Sequence, residues 1–353
     1  MEWKFRKEFQ IMPGIKLSYG KNGIRTQILS STSEPEADPE KLKLKLFKPF
    51  DATHEIKSAS IPKLNSADLL DFKNLLLASG KNYSETFTVL NIRKETKLKQ
   101  DKKIHRLQRS LFRFMFKKKL TRLEFESAQL YAEISELEEQ LNLSRVTLEI
   151  DSEDVYFDLY KDVRKAFSLL KQSQKKWDIT STKRTNRVAE RTSASSTITR
   201  SLIQLTEKDL PILNTEHSPM CFNNINGGDI YLYPGFLIVY ESKTEFAIVN
   251  YAEINITYAQ SRFIETEGVP SDAKVIDKTW YKVNKDGSPD RRFTSNYQIP
   301  IAAYGELHFK SESGLNEAYS FSNNESTQLF WKAMHNYSDA IKQANSLLTS
   351  FKL

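Results

Sequence analysis

The chain has 353 residues, of which 39% are hydrophobic and 27% charged, with a net charge of +7. This composition is typical of a folded protein with room for two or three domains, and 11 Gly and 11 Pro are too few for a low-complexity or collagen-like chain. The single cysteine, Cys221, excludes a disulfide framework and a Cys-rich metal site. The five histidines stand far apart and form no metal-binding pair.

Apolar runs stay well short of the roughly 20 residues that a membrane-spanning helix needs. The opening sequence MEWKFRKEFQ has no apolar core of the signal-peptide type. We therefore expect a cytoplasmic protein, with peripheral attachment to a membrane left open.

Residues 1–28 predict a three-stranded β-meander. Apolar and polar residues alternate on both sides of Pro13-Gly14 and of Asn22-Gly23. Pro-Gly suits a type II turn, and Asn-Gly favours a tight hairpin because both residues tolerate positive φ. A sheet this small buries little surface, so we expect it to pack on another part of the chain.

This segment resembles a bacterial domain family of unknown function. The likeness lies in Lys4-Phe5-Arg6-Lys7, in Pro13-Gly14 and in the Lys21-Asn22-Gly23 turn. The family opens with Arg-Phe-Arg-Lys, then Pro-Gly, then Asn-x-Ser-Lys-x-Gly. Ser18 and Gly20 stand where the family usually has Asn and Ser. The resemblance implies a bacterial origin and no particular activity.

Three regions are predicted: a small β domain with linker at 1–62, a helical or coiled-coil region at 63–205, and a β domain at 206–353. The linker is polar and rich in proline, and it contains one alternating strand at Leu42–Leu46. Asn65 or Ser66 is expected to cap a helix that stops at Gly80.

A long helix is expected from Thr88 to Leu143, because the span has no Gly or Pro. Its apolar spacing changes phase near Phe112–Phe116, which predicts a stutter, a bend or a tight turn. A third helical stretch is expected at 155–177, and 185–199 reads as either a polar helix or a loop.

Charge is distributed unevenly along the helical region. Residues 93–122 hold thirteen Lys or Arg against two acids, and residues 123–154 hold ten acids against one Arg. A basic block followed by an acidic block favours an antiparallel helical hairpin over an extended rod. If the apolar faces of these helices pair between two chains instead of within one, we expect a homo-oligomer.

The last region reads as antiparallel strands followed by an amphipathic helix. Asp229–Tyr240 is a hairpin around Pro234-Gly235, and Asn324 is expected to cap a helix over 326–348 with Leu329, Phe330 and Tyr337 on one face. Further strands are predicted at 246–251, 254–258, 280–283, 297–302, 306–309 and 318–321. With Trp331 early in the closing helix, the pattern resembles a pleckstrin-homology (PH)-type barrel, and the overall fold class is therefore α+β.

Sequence motifs for catalysis are absent: there is no phosphate-binding glycine loop and no nucleophile elbow. Cys221 has no motif around it and is interpreted as a buried apolar residue. We predict a non-enzyme without cofactor or metal.

Two surfaces are candidate binding sites. In the loop 284–293, Lys285, Arg291 and Arg292 would hold an anion, with Asp286 and Asp290 orienting the arginines, although dense turn chemistry also fits a purely structural loop. The loop Tyr233–Phe236 has no basic residue, which argues against phosphoinositide binding of the usual PH type.

The second surface is the basic helix, with Arg113, Lys117, Lys118 and Lys119 as phosphate or anion contacts and Phe112, Phe114, Met115 and Phe116 as membrane-inserting residues. The alternative is that the basic face pairs with the acidic block and the aromatic residues form the seam. We predict a sensor or adaptor, for example in phage defence, that recognises an anionic lipid or protein surface. The alternative function is nucleic-acid binding through 93–122 and 175–200.

Overall fold

The computed structural model describes residues 8–12, 15–20, 23–28, 54–143, 146–148, 155–215 and 217–350. The fold is α+β, as predicted. A long helical hairpin is combined with several antiparallel sheets.

The predicted β-meander is confirmed. Its strands are β1 (Glu8–Met12), β2 (Ile15–Gly20) and β3 (Gly23–Ile28). They pair antiparallel in the order β1-β2-β3, and the two reversals bring Met12 opposite Ile15 and Gly20 opposite Gly23. The strand expected at 42–46 lies outside the described residues.

The first long helix does not stop at Gly80. After β4 (His54–Glu55) and two short 3₁₀ turns, α1 (Leu70–Gln108) runs without a break for 39 residues. Gly80 is not among the glycines with positive φ, so it continues the helix instead of capping it. A single glycine costs a helix only about 1 kcal/mol, and the packing of buried Leu76 and Leu90 on either side of Gly80 offsets that cost.

The phase change near residue 112 is a reversal of the chain. A 3₁₀ turn (Arg113–Phe116) leads directly into α2 (Lys117–Leu143), which packs antiparallel on α1. Leu90, Ile104, Leu123 and Ile134 are buried in the seam. The predicted hairpin is thus confirmed, and its seam closes within one chain.

The predicted helical region also contains two long strands. The elements in this part are β5 (Thr147–Leu148), α3 (Val155–Lys171), β6 (Lys176–Arg184), the single-turn α4 (Arg187–Glu190) and β7 (Ser196–Leu202). The third helix therefore ends before Trp177, and 196–202 is neither helix nor loop. Pairing with β17 (Asn316–Phe321), far along the sequence, explains why local patterns miss β6.

The C-terminal region is built mainly of antiparallel strands. Its elements are β8 (Leu205–Glu207), β9 (Asn214–Thr215), β10 (Met220–Phe222), β11 (Asp229–Leu232), β12 (Phe236–Tyr240), β13 (Phe246–Asn250), β14 (Ile254–Ile264), β15 (Lys274–Trp280), β16 (Gln298–Ser311), β17 and α5 (Asn324–Ser350). The strand expected at 280–283 lies earlier, and those expected at 297–302 and 306–309 form one long strand, β16.

These strands form two main sheets and no closed barrel among the described residues. One sheet has the order β13-β12-β11-β10-β8, and the other has the order β14-β16-β17-β6-β4, with β7 beside β6 and β15 beside β16. The largest buried cluster draws on both sheets and on α3 and α5.

Helix α5 covers this core with Phe330, Met334, Tyr337 and Ile341, whereas Leu329 is half exposed and does not belong to the buried face. The helix is capped one residue earlier than expected, because the Asn323 side chain accepts a hydrogen bond from the Ser326 amide at 3.0 Å.

We expect Gly305→Ala to lower the free energy of unfolding by about 1–3 kcal/mol, because overpacking a core has that cost. An added Cβ would overlap the side chain of Thr327, which is fully buried at the start of α5. Urea unfolding measures the change. Gly80→Ala is the matched control: its Cβ would approach only Ile212 Cγ2 at 3.9 Å, so a gain of about 0.5–1 kcal/mol is expected. Equal effects of the two changes would contradict this packing.

His308 predicts a pH dependence of stability. Burial, assisted by the charge of Lys310, lowers the pKa of His308 from 6.5 to about 4. The unfolded chain therefore binds more protons between pH 6.5 and 4, and folding loses up to about 3 kcal/mol as the pH falls through that window. His308→Gln should make the fall shallower in urea titrations at pH 7, 6, 5 and 4. An unchanged slope would refute this assignment.

Candidate functional site

Ion pairs join α1 to α2 along the shaft of the hairpin, by which we mean residues 70–101 and 123–143. Arg93 pairs with Glu133 at 3.1 Å and Lys94 with Glu138 at 2.7 Å, both across α1 and α2. The basic block is therefore partly satisfied by the acidic block of the same chain. Such exposed pairs contribute little energy each, but they specify the antiparallel register.

The register brings like charges together at the far end. Gln100 Nε2 donates to Glu126 Oε2 at 3.2 Å, and Gln108 Nε2 donates to Glu124 Oε1 at 3.0 Å. The basic end of α1 therefore lies opposite the basic start of α2. Residues 102–122 contain nine Lys or Arg and no Asp or Glu. Arg122 pairs with Glu126 at 3.4 Å, and the other eight cations are exposed: Lys102, Lys103, Arg106, Arg109, Arg113, Lys117, Lys118 and Lys119.

Between these cations, the reversal presents apolar side chains to solvent. Leu111 is 92% exposed, Phe114 72%, Met115 70% and Phe112 60%, with Phe116 at 36%. We call residues 102–122 the hairpin tip. The aromatic residues predicted to insert into a membrane are thus exposed at its apex, and they are not part of the seam.

Local hydrogen bonds hold the turn at this apex. Helix α1 ends where the Arg109 amide donates to His105 O, and the following turn is held by Arg113 N to Ser110 O and Met115 N to Phe112 O. Ser110 Oγ also accepts a hydrogen bond from the Phe112 amide at 3.3 Å. The hydrogen bonds of this turn join residues close in sequence, and Leu111, Phe112, Phe114 and Met115 are exposed on it.

The loop 284–293 uses most of its charge internally. The buried Asp290 accepts hydrogen bonds from Arg292 Nε at 2.9 Å and Arg191 Nη1 at 2.8 Å. The bond from Arg292 is the main reason that the pKa of Asp290 falls to about 2. Asp286 binds Ser288 and not an arginine. Lys285 and Arg291 are exposed on this loop, and the structure does not bring them to the hairpin tip.

The second basic segment, 175–200, is not a free basic helix. The guanidinium carbon of Arg200 lies 3.8 Å from the centre of the Trp177 ring and 3.9 Å from that of Phe263. Its Nη2 also lies 3.4 Å from the buried Glu265. Arg200 is therefore fixed inside the sheet region, where it cannot contact a nucleic-acid backbone.

Among the residues with described positions, no three His, Cys, Asp or Glu side chains are grouped so that they could hold a metal ion. Cys221 is fully buried on β10, and burial raises the pKa of its thiol to about 11.

Sequence reasoning missed a buried acidic pair, Asp178 on β6 and Glu317 on β17. A signal was present for Glu317, because it alternates with the core residues Tyr319 and Phe321 and so occupies an inward position of its strand. Asp178 gives no such signal, because the sequence predicts a helix up to Trp177 and no strand directly after it.

Comparison with family models, with curated proteins and with solved structures finds no match for this chain. Over the described residues, no helix combines the length and the apolar character required to cross a membrane.

We expect Cys221 to resist alkylation in the folded protein. Burial and the raised pKa keep the sulfur as an inaccessible thiol. Iodoacetamide at pH 8 should label the chain only after addition of denaturant, as read by intact mass spectrometry. Rapid labelling of the native protein would contradict the buried position.

Proposed function

We propose that this chain is a non-catalytic bacterial interaction protein whose hairpin tip binds an anionic membrane surface. The observation that supports the proposal most strongly is the exposure of Leu111, Phe112, Phe114 and Met115 within a ring of cations. The bacterial assignment rests on the resemblance of the N-terminal segment.

The apolar apex favours a lipid interface over water. Leu111, Phe114 and Met115 are each at least 70% exposed, and burying such a side chain yields about 1.5–3 kcal/mol. These side chains carry no hydrogen-bonding group, so an acyl-chain boundary suits them better than the polar edge of a nucleic-acid base. Aromatic and aliphatic residues beside lysines are the usual composition of interfacial anchors.

The cations require an anionic partner. Lys117, Lys118 and Lys119 begin α2 opposite the basic end of α1, where they repel their neighbours and where the positive end of the α2 dipole adds to the field. A negatively charged membrane relieves this repulsion, at about 1 kcal/mol for each basic residue near the surface.

The helices of the shaft separate the tip from the sheet region. The first turns of α1, with Phe72 and Leu76, pack in the sheet region, whereas α2 has 27 residues, which corresponds to a length of roughly 40 Å. The sheet region at the other end is then held away from the membrane, an arrangement that suits a sensor or an adaptor.

For the C-terminal region we infer an architecture related to the PH type. Supporting this are two antiparallel sheets followed by α5, and a hydrogen bond from Trp331 Nε1 to Ile256 O at 2.9 Å. The lack of a closed barrel in the described strands separates it from the usual form.

We expect the triple change Lys117→Glu, Lys118→Glu and Lys119→Glu to weaken binding to phosphatidylserine vesicles by at least about 100-fold. Phe114→Ser should weaken it by about tenfold or more, because its ring leaves the interface. Co-sedimentation with vesicles of 30% phosphatidylserine in phosphatidylcholine measures both effects.

Phe125→Ser is the matched control, since Phe125 is 64% exposed on the shaft and should leave binding unchanged. Equal binding of the wild type to pure phosphatidylcholine would contradict the proposal. A second combination of results would also contradict the proposal: no binding to vesicles, together with a salt-sensitive mobility shift of a DNA duplex that persists in Phe114→Ser. That combination indicates the nucleic-acid alternative.

A further inference from the structure

A group of buried oxygen atoms lies between the two main sheets, away from the hairpin tip. Asp178, Glu317 and Tyr319 are at most 1% exposed. Asp178 and Tyr319 are direct partners across β6 and β17, and Glu317 lies two residues before Tyr319 on the same face. These three side chains therefore point to one place inside the molecule.

Each acid is held by one oxygen only. Asp178 Oδ2 accepts a hydrogen bond from the Ile225 amide at 2.8 Å, and Glu317 Oε1 accepts one from the Ser58 amide at 3.1 Å. The second oxygens, Asp178 Oδ1 and Glu317 Oε2, have no hydrogen-bond partner in the described part of the chain.

Two neutral oxygens complete the group. Asn226 Nδ2 donates to Ile56 O at 2.8 Å, which fixes the amide and leaves Asn226 Oδ1 without a donor among the described residues. The Tyr319 hydroxyl likewise has no partner there. Tyr319 is the direct cross-strand partner of Asp178, and its pKa is raised mainly by burial and then by the charges of Glu317 and Asp178.

Positive side chains do not balance these acids. No Lys or Arg of the described chain lies within 4.0 Å of either carboxylate. Burial, and to a smaller extent the charge of Asp178, raises the pKa of Glu317 to about 7. Two buried acids without a counter-charge are costly, so a cation or a proton has to neutralise them.

A cavity adjoins this buried group. A cavity of about 420 Å³ is lined by Ser58, Asn226 and Gly227, among others. A Cβ on Gly227 would stand 3.6 Å from Glu317 Oε1, so glycine at this position leaves the carboxylate next to the cavity.

We propose that Asp178, Glu317, Asn226 and Tyr319 form a binding site for a divalent cation of the calcium class. Carboxylate and amide oxygens are the ligands that calcium prefers, and calcium tolerates the irregular geometry that two strands and a loop provide. An organic cation is less suitable, because Asp178, Glu317 and Tyr319 are at most 1% exposed and do not line the cavity. By joining Asp178 and Glu317 to Asn226 in the loop 223–229, the cation would tie the two sheets together.

The test is thermal unfolding of the full chain at pH 8 after treatment with EDTA, with calcium chloride or magnesium chloride added back. The melting temperature of the wild type should rise by roughly 5 °C once free calcium exceeds its dissociation constant about 100-fold. Asp178→Asn and Glu317→Gln keep the side-chain shape and should abolish this rise. Glu306→Gln, a half-buried acid on the neighbouring strand β16, is the matched control and should retain it.

A direct measurement covers the case in which a variant folds poorly. Terbium, a luminescent substitute for calcium, should emit on excitation of tyrosine at 280 nm, and calcium should displace it. Tyr319→Phe should reduce this emission without unfolding the chain.

The proposal is overturned if neither cation changes the melting temperature of the wild type. A higher melting temperature of Glu317→Gln would then show that the pair shares a proton. The proposal is also overturned if terbium emission persists in the double variant Asp178→Asn, Glu317→Gln. Both readouts are independent of vesicle binding, so failure here leaves the function proposed for the hairpin tip standing.

Discussion

Charge complementarity between two antiparallel helices determines how this molecule is arranged. Opposite charges face each other along the hairpin, as at Arg93–Glu133 and Lys94–Glu138, and these pairs join α1 to α2 within one chain. The same register places the end of the basic block against the basic start of α2, where like charges meet. The register that pairs opposite charges along the shaft therefore leaves most cations of the tip without an acidic partner among the described residues, and such a basic surface attracts an anionic partner.

Besides its cations, the tip exposes apolar side chains. The hydrogen bonds of its turn join residues close in sequence, and Leu111, Phe114 and Met115 are exposed on it. Unpaired cations and exposed apolar groups each have a cost in isolation, and a membrane interface satisfies both at once. This coincidence in a few adjacent residues distinguishes the tip from Lys285 and Arg291, which lie on a loop whose buried acid already binds two arginines.

In the described sheet region, the buried charges without a counter-charge are negative. Arg200 is paired and stacked between rings, and Asp290 is paired with two arginines, so most buried charge is neutralised. Asp178 and Glu317 are the exception within the described core. Asp178 binds the loop 223–229, and Glu317 binds the segment around Ser58. A cation that neutralises both acids would therefore join parts of the chain that are remote in sequence.

The sequence by itself determined the features that depend on neighbouring residues: the meander, the helical hairpin, the strand pair at 229–240, the closing helix and the composition of the tip. These could be predicted because charge blocks, turn residues and apolar periodicity act over short distances. Only the tertiary structure decided that α1 passes through Gly80, that residues 176–202 join the sheet and that Asp178 meets Glu317. Tertiary packing continues α1 past Gly80, and strand pairing between β6 and the distant β17 sets the other two features, so no local pattern contains that information.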